Sequence, residues 1–486
     1  MGGSHPLHQF LGYDTDKHVL TLTLRDPSDG RKMPPNGNDF MSAHCTRGVR
    51  KVRVACPPNI CQHVSSGSQI SPTAWKTYVQ KCKPDLVVAL SDTPFTPPPH
   101  SQKRLTKSIE RSVSWLADFL RVPADPSATR PRNVLVHLVG GVDSHARAEF
   151  ADRLTEPIEQ KDAVGLAPLN TLDDSVSGYV FDLLPLHTAL VAEASQPIEP
   201  PSPAEELLKT SDNQRSSPAS SGRLVELMRT SLGPLPVHKP RVLNSPVSPH
   251  EILRLVRDVG IDLVDGYWAQ RAADIGVAFD FRFPVANSAS SECPAPRIRK
   301  GGKIDLGHNL FDSMYRHDHS RLASGFADGY SAEQSGSDEH PICLCGACSP
   351  RSPASRLLHS SVDNQAWQDS QRPLPPSAIR PPFVRSYIHH LLHTHEMSSH
   401  SLLAMHNLTV LSAFLKGTRE VLQRECPRDE LVKEIVRFEQ TYDEEMVLWD
   451  EAATMWLDVE HARGKGRLAR EKERQASATM GTAAEL

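Results

Sequence analysis

Five short apolar runs, each set against a stretch of helical periodicity, constrain this chain most. Residues 84–90, 134–139, 178–184, 241–244 and 261–264 are β-type segments with almost no polar alternation. A strand without a polar face has no side to give to water, so both of its faces must be covered. The intervening segments supply the cover. Leu105, Ile109, Val113, Leu116, Ala117 and Leu120 fall at three- and four-residue intervals, leaving Lys107, Glu110 and Arg111 outward. Further helices are predicted over 75–81, 145–154, 189–194, 224–232 and 249–259, with Pro72 and Pro249 placed as helix openers. Repeated strand–helix units mean a parallel sheet under helices. Closed on itself this is a (β/α)8 barrel of the TIM type, and left open it is a doubly wound sheet. Periodicity does not separate the two.

At 486 residues the chain can hold one large barrel with appendages, or two to three ordinary domains. Its 38% hydrophobic content and 40 prolines are a poor composition for one continuous globule, which points to polar insertions. Two stand out as disordered, 196–221 and 349–382, both rich in Pro and Ser. The expected layout is an irregular part over 1–70, with one short strand at 52–55, and the α/β barrel over 71–340. A C-terminal metal-binding helical subdomain follows over 341–425, then a helical and basic tail over 426–486 with one helix at 428–462. Residues 277–281 alternate like a surface strand. The basic turn from Arg297 to Lys303 reads either as a phosphate contact or as a solvated loop.

A net charge of −4 excludes a global polyanion binder while leaving room for a local basic face. No run approaches the roughly 18 apolar residues of a membrane span. The nine cysteines are an odd number and the chain opens without an apolar leader, so a reducing compartment without a disulfide framework is expected. Three of those cysteines, Cys343, Cys345 and Cys348, form a C-x-C-x2-C knot. Gaps of one and two residues let three thiols point at one centre, as a tetrahedral site requires, and zinc is the expected ion. A closed site needs a fourth ligand. His359, His389, His390, His393, His395, His400 and His406 all lie downstream, and spacing alone does not choose among them.

Several stretches together resemble the tRNA-guanine transglycosylases. The thiol knot, Tyr387-Ile388-His389-His390-Leu391-Leu392, Glu396-Met397 and Met405-His406-Asn407 are similar to that family's zinc subdomain. Gly260-Ile261-Asp262-Leu263-Val264-Asp265, followed by Arg271, Gly276 and Ala278, resembles the strand that carries its nucleophilic aspartate. Leu90-Ser91-Asp92, residues 107–112 and Gly140-Gly141 resemble the family's non-catalytic branch. The resemblance implies a barrel, one zinc ion, and His406 as the fourth ligand beside Cys343, Cys345 and Cys348. It also implies a role in exchanging guanine for queuine at the wobble position of tRNA, in a heterodimer with a catalytic subunit. The cytoplasm, with association at the mitochondrial surface, is the compartment it suggests.

Asp265 falls at the nucleophile position, but the rest of the family's site does not follow. The Ser-Asp-Ser-Gly-Gly motif is absent, Ser91 stands where the pocket aspartate belongs with Asp92 one step later, Val139 replaces a glutamine before Gly140-Gly141, and Asp182-Leu183 replaces a paired glycine. Base edges are read by hydrogen bonds, and a site that loses those partners loses its discrimination. The expectation is a subunit with no catalytic residues and an inactive Asp265. A transglycosylase competent through Asp265, or a zinc-stabilised scaffold outside tRNA modification, are the alternatives. Relatives carry one or two more strand–helix units before the point where this chain begins to match. A barrel short of its first strand has unpaired backbone at a seam, so reduced stability or dependence on a partner is expected.

Overall fold

The computed structural model describes residues 5–28, 36–38, 40–43, 68–93, 99–122, 130–160, 163–194, 218–286, 293–335, 340–351 and 378–464. It divides into two compact units, residues 1–267 and 268–486. The first holds a six-stranded sheet of β1 (Thr21–Leu22), β4 (Leu86–Val88), β5 (Val134–His137), β6 (Val176–Asp182), β7 (Arg241–Asn244) and β8 (Leu263–Val264), all parallel. Spatial order follows chain order without a reversal. A doubly wound sheet reverses at a switch point, so this succession is of barrel type. The helices Gln102–Leu120, Ser144–Thr155, Pro218–Leu232 and Pro249–Val259 lie between the strands in sequence and bury Trp115, Phe150, Leu227 and Leu255 in the same core as Val87, Val134 and Tyr179.

The starts of three of these helices, and of the helix Pro72–Cys82, follow from local chemistry. Ser71, Ser101, Asp143 and Ser248 each accept a backbone N–H of the first turn, and Pro72 and Pro249 open two of them. Gly140 has φ +124°, and a Cβ there would meet Arg147 at 2.7 Å. The Gly140-Gly141 pair thus lets buried Arg147 approach, donating to the Gly141 carbonyl at 2.6 Å and to Ser231 Oγ at 2.9 Å.

The first 70 residues are not irregular throughout. A helix, Pro6–Leu11, precedes β1, whose residues pair with Leu86 and Val87, and β2 (Met41–Ala43) pairs antiparallel with β3 (Ser68–Ile70). The period-two alternation of Leu20, Leu22 and Leu24 with Thr21 and Thr23 carried the signal for β1. The strand expected at 52–55 lies outside the described residues. So do the cores of both insertions, but their bounds shrink: Pro218–Leu232 is one helix, and Ser349–Arg351 and 378–382 belong to the fold. Arg351 bridges Ile379, Arg380 N donates to the Pro350 carbonyl at 2.7 Å, and Phe383 N donates to that of Ala347 at 2.9 Å.

In the second unit, β9 (Val277–Phe279) pairs antiparallel with β10 (Gly307–Asn309), and β11 (Ala327–Asp328) pairs parallel with β12 (Ile342–Cys343). The strand beginning at 277 is not a surface strand: Val277, Ala278 and Phe279 have no exposed surface. Asp280 mimics an outward polar residue but points inward. It accepts Ser324 N and Oγ at 2.6 Å each and Gly325 N at 3.0 Å. Burial alone would push this carboxyl up, but His308 and Ser324 outweigh it and hold it down at about 2. Aromatic packing covers β9, with Trp268 stacked on Phe279 at 4.2 Å and on Trp449 at 5.3 Å.

The segment 426–464 is part of this core rather than a tail. It forms two helices, Pro427–Thr441 and Val447–Gly464, which bury Leu431, Ile435, Phe438 and Trp449. The expected single helix breaks where Met446 takes φ +52° and buried Asp443 accepts Val447 N at 3.0 Å. The helix Met397–Leu422 crosses the chain at Gly417, where a Cβ would collide with the Phe283 carbonyl. Gly417→Ala is expected to lower the stability of this unit by about 1–3 kcal/mol in denaturant unfolding. An unchanged midpoint would mean that the helix does not pack this closely.

Candidate metal centre and strand-end carboxylates

Cys343 ends β12, Cys345 and Cys348 sit in the turn after it, and His406 comes from the middle of the helix Met397–Leu422. All four are buried, and their ligand atoms lie within 4.8 Å of one another. His406 Nδ1 is 3.7 Å from Cys343 Sγ, 4.0 Å from Cys345 Sγ and 3.3 Å from Cys348 Sγ. Zn–S and Zn–N bonds of about 2.3 and 2.0–2.1 Å at tetrahedral angles predict an S···N edge of about 3.5 Å. The donor set fits such a cation. The far ring nitrogen is fixed too: His406 Nε2–H donates to the Phe279 carbonyl at 2.9 Å, which leaves Nδ1 as the ligand atom.

Asn407, next in the chain, ties the same helix to β9. Its Oδ1 accepts Phe279 N at 2.9 Å, while Nδ2 donates to the Val277 and Ala269 carbonyls at 2.9 and 3.2 Å. Ser349 Oγ donates to the Cys343 carbonyl at 2.7 Å and accepts Gly329 N at 2.8 Å, so the knot's backbone is held from a second side. The other histidines point elsewhere. His389 Nδ1 and His393 Nε2 bond the carbonyls of Leu310 and Phe311, His395 faces Glu460, His400 faces Asp274, and His390 is exposed. His359 lies outside the described residues.

Asp182, Asn244 and Asp265 stand at or just after the C-terminal ends of barrel-type strands, the end where such folds place reactive groups. Asp265 follows β8, and its carboxylate accepts Ser245 N at 2.8 Å and Tyr267 N at 3.3 Å. Burial pushes it up to about 6. The two N–H groups oppose that shift, while Asp182 and Asp26 add to it.

Asp182, at the end of β6, is the hub of this region. It accepts Asn244 Nδ2 at 2.8 Å, with Arg25 Nη2 at 3.6 Å and His137 Nδ1 at 3.4 Å. The position that resemblance assigns to a glycine is thus occupied by a buried carboxylate with three polar neighbours. Arg25 and His137 escaped sequence reasoning because each stands alone in its segment.

Asp92 has no exposed surface and is bound from several sides. Arg104 donates to both of its oxygens at 2.9 and 2.7 Å, Arg111 Nη1 lies at 3.0 Å, and Asn36 Nδ2 at 2.9 Å. Arg111 therefore turns inward, against the outward placement that periodicity predicted. Ser108 and Ser112, buried on the same helical face, bond the Asp92 backbone. These polar residues interrupt the apolar stripe, and that interruption was the signal. In the basic turn, Arg297 pairs with Asp312, and Arg299 with Asp305 and Glu451.

Burial would raise the Asp92 carboxyl, but hydrogen bonds and charge from Arg104, with Asn36 and Arg111, hold it below its usual value. A depressed carboxyl stabilises the fold above its unfolded pKa of about 3.9 and loses that contribution as pH falls through the folded value. Asp92→Asn is therefore expected to cost about 2–3 kcal/mol at neutral pH, less than a fully dry pair because both arginines keep some solvent contact. It should also flatten the acid limb of stability below about pH 4. Equal acid limbs in chemical denaturation would contradict this.

Known proteins bear on these sites. The family model described as queuine tRNA-ribosyltransferase matches residues 50–172 and 218–441. A queuine tRNA-ribosyltransferase accessory subunit 2 of Schizosaccharomyces pombe is 24% identical over 370 residues, covering 75% of this chain and 55% of the relative. The protein of that name from Ixodes scapularis is 24% identical over 355 residues, covering 73% and 65%. That from Danio rerio is 22% identical over 236 residues, covering 45% of each. The chain thus spans between about half and two thirds of the length of these relatives. No helix among the described residues is long and apolar enough to cross a membrane, and nothing in the comparisons supports the mitochondrial association. With a family match over most of its length and a Cys3His cluster in the matched region, the chain belongs to the queuine tRNA-ribosyltransferase family.

Proposed function

We propose that this chain is a non-catalytic subunit of a queuine tRNA-ribosyltransferase. In this reading it works in the cytoplasm as a heterodimer with the catalytic subunit, and supports exchange of guanine for queuine at the wobble position of tRNA. Its barrel-type strands belong to a (β/α)8 fold, and one zinc ion is held by Cys343, Cys345, Cys348 and His406. The observation that carries the reading is the contrast between two sites. The Cys3His donor set is intact and supported on every side, whereas Asp182 with Arg25, His137 and Asn244 occupies the strand ends where a guanine-sized base would need open donors and acceptors.

The metal subdomain also offers a docking face. Met397, Met405 and Leu408 are exposed at helical spacing on Met397–Leu422, and exposed Leu344 lies within the thiol knot. Apolar side chains grouped on one helix face suit a permanent partner. The catalytic subunit is the occupant that the relatives' description as accessory subunits supports. A second reading keeps Asp265 as a nucleophile, since it stands at a strand end with a perturbed carboxyl that two backbone N–H groups orient.

Guanine exchange into tRNA by this chain, by a catalytic subunit, and by their mixture separates the two readings. Activity only in the mixture is expected, unchanged by Asp265→Asn. Activity of this chain alone that disappears in Asp265→Asn would establish the second reading instead. Structural zinc contributes on the order of 10–16 kcal/mol in small zinc-folded peptides. Cys345→Ser is accordingly expected to lose zinc and co-purification with the catalytic subunit together. Normal pairing by the zinc-free variant would remove the metal from the interface.

A further inference from the structure

The basic turn from Arg297 to Lys303 is a built hairpin within the second unit. Ile298 bridges Ile304 in antiparallel fashion, Asp305 N donates to the Arg297 carbonyl at 3.0 Å, and Arg299 N donates to the Lys303 carbonyl at 2.8 Å. Gly302 N closes the tip on the Arg299 carbonyl at 2.9 Å. The returning strand is tied down as well: Ile304 N donates to the Thr441 carbonyl, and Asp443 N to the Ile304 carbonyl, both at 2.8 Å. Backbone bonds on both sides give the tip one preferred shape and direction.

Its four cations divide into two kinds. Arg299 donates from Nε to Asp305 at 2.6 Å and from both Nη atoms to Glu451 at 2.7 and 2.9 Å, while Arg297 donates to Asp312 at 3.0 Å. The arginines are struts that brace the hairpin against the helix Val447–Gly464 and the turn at Asp312. Lys300 and Lys303 flank the Gly301-Gly302 tip, Lys300 exposed and Lys303 partly so, and among the described residues neither side chain has an ion pair or hydrogen bond. Gly302, at φ +80°, is required by the turn, but Gly301 is not: its φ is outside the left-handed region, and a Cβ there would meet nothing within 4 Å. A tip without side chains between two unpaired cations lets an anionic chain come close to the backbone.

We infer that this hairpin tip contacts the phosphate backbone of tRNA, with Lys300 and Lys303 each facing one phosphate. The inference rests on the reading of the chain as a subunit of a tRNA-modifying enzyme. Membrane-binding clusters gather roughly four to eight basic residues, and here both arginines are engaged, which leaves two cations. A nucleic-acid backbone repeats its phosphates, so two braced lysines are enough for a local contact. The net charge of −4 does not oppose this, because attraction acts within a screening length of about 8–10 Å. Such a contact positions the RNA without reading its sequence.

The test titrates the full-length protein with unfractionated tRNA over a series of salt concentrations. Wild type is compared with the double variant Lys300→Ala/Lys303→Ala and with Lys433→Ala, an exposed lysine of the same unit that pairs with Glu430 at 3.1 Å. The double variant is expected to bind about tenfold more weakly near 0.1 M salt, with the slope of log affinity against log salt shallower by about two. Its unfolding midpoint should not move, since neither lysine has a partner to lose, and Lys433→Ala should bind as wild type does. Unchanged affinity in the double variant, an equal loss in Lys433→Ala, or binding to phosphatidylserine vesicles in place of tRNA overturns the inference. Guanine exchange by the mixture with a catalytic subunit is read in parallel. Exchange together with an unaltered salt slope removes the hairpin and keeps the subunit reading, whereas a shallower slope without exchange keeps the hairpin as an RNA contact and removes that reading.

Discussion

The pair His406-Asn407 is the interaction on which the second unit depends. One residue delivers an imidazole nitrogen to three thiols while its other nitrogen grips the Phe279 carbonyl, and the next residue satisfies three backbone groups of β9 and the preceding helix. Adjacent side chains on a helix point about 100° apart, so a single turn of Met397–Leu422 serves two structures at once. The long segment between Cys348 and His406 does not disturb this. Its ends are clamped by the Arg351–Ile379 bridge and the Phe383–Ala347 bond, so the insertion closes on itself and the ligands see only a short folded connection.

The first unit gathers polar side chains at one end of its strands. Barrel-type strands present their C-terminal residues to a common region, and here those residues are largely committed to one another: Asp182 to Asn244, Arg25 and His137, and Asp92 to two arginines. Buried carboxylates engaged in this way order the strand ends and the loops that return to them. Asp265 is the partial exception, bound among the described residues by two backbone N–H groups and left with a raised pKa near 6.

Much of this was legible in the residues. The apolar strands and their helices were readable from their hydrophobic pattern, fully buried in Val134–His137, and Arg241–Asn244 and Pro249–Val259 fall where periodicity puts them, although Leu263 in β8 is exposed. The thiol knot announced its chemistry through spacing, while the choice of His406 needed the resemblance, because seven histidines compete on equal terms in sequence. What escaped were contacts with no local signature. β1 is two residues long, Asp280 imitates a solvent-facing residue, and Arg111 satisfies the helical period for an exposed position while reaching back to Asp92. Each is a tertiary partnership overriding a local rule, and each involves a polar group whose burial is tolerable only because a distant residue meets it.

The central claim, a closed Cys3His centre organising the second unit, is tested most directly by zinc-edge X-ray absorption on the purified protein. The predicted first shell is three sulfurs at about 2.3 Å and one nitrogen at about 2.0–2.1 Å. A shell built mainly of nitrogen and oxygen, or one with four sulfurs, would contradict it.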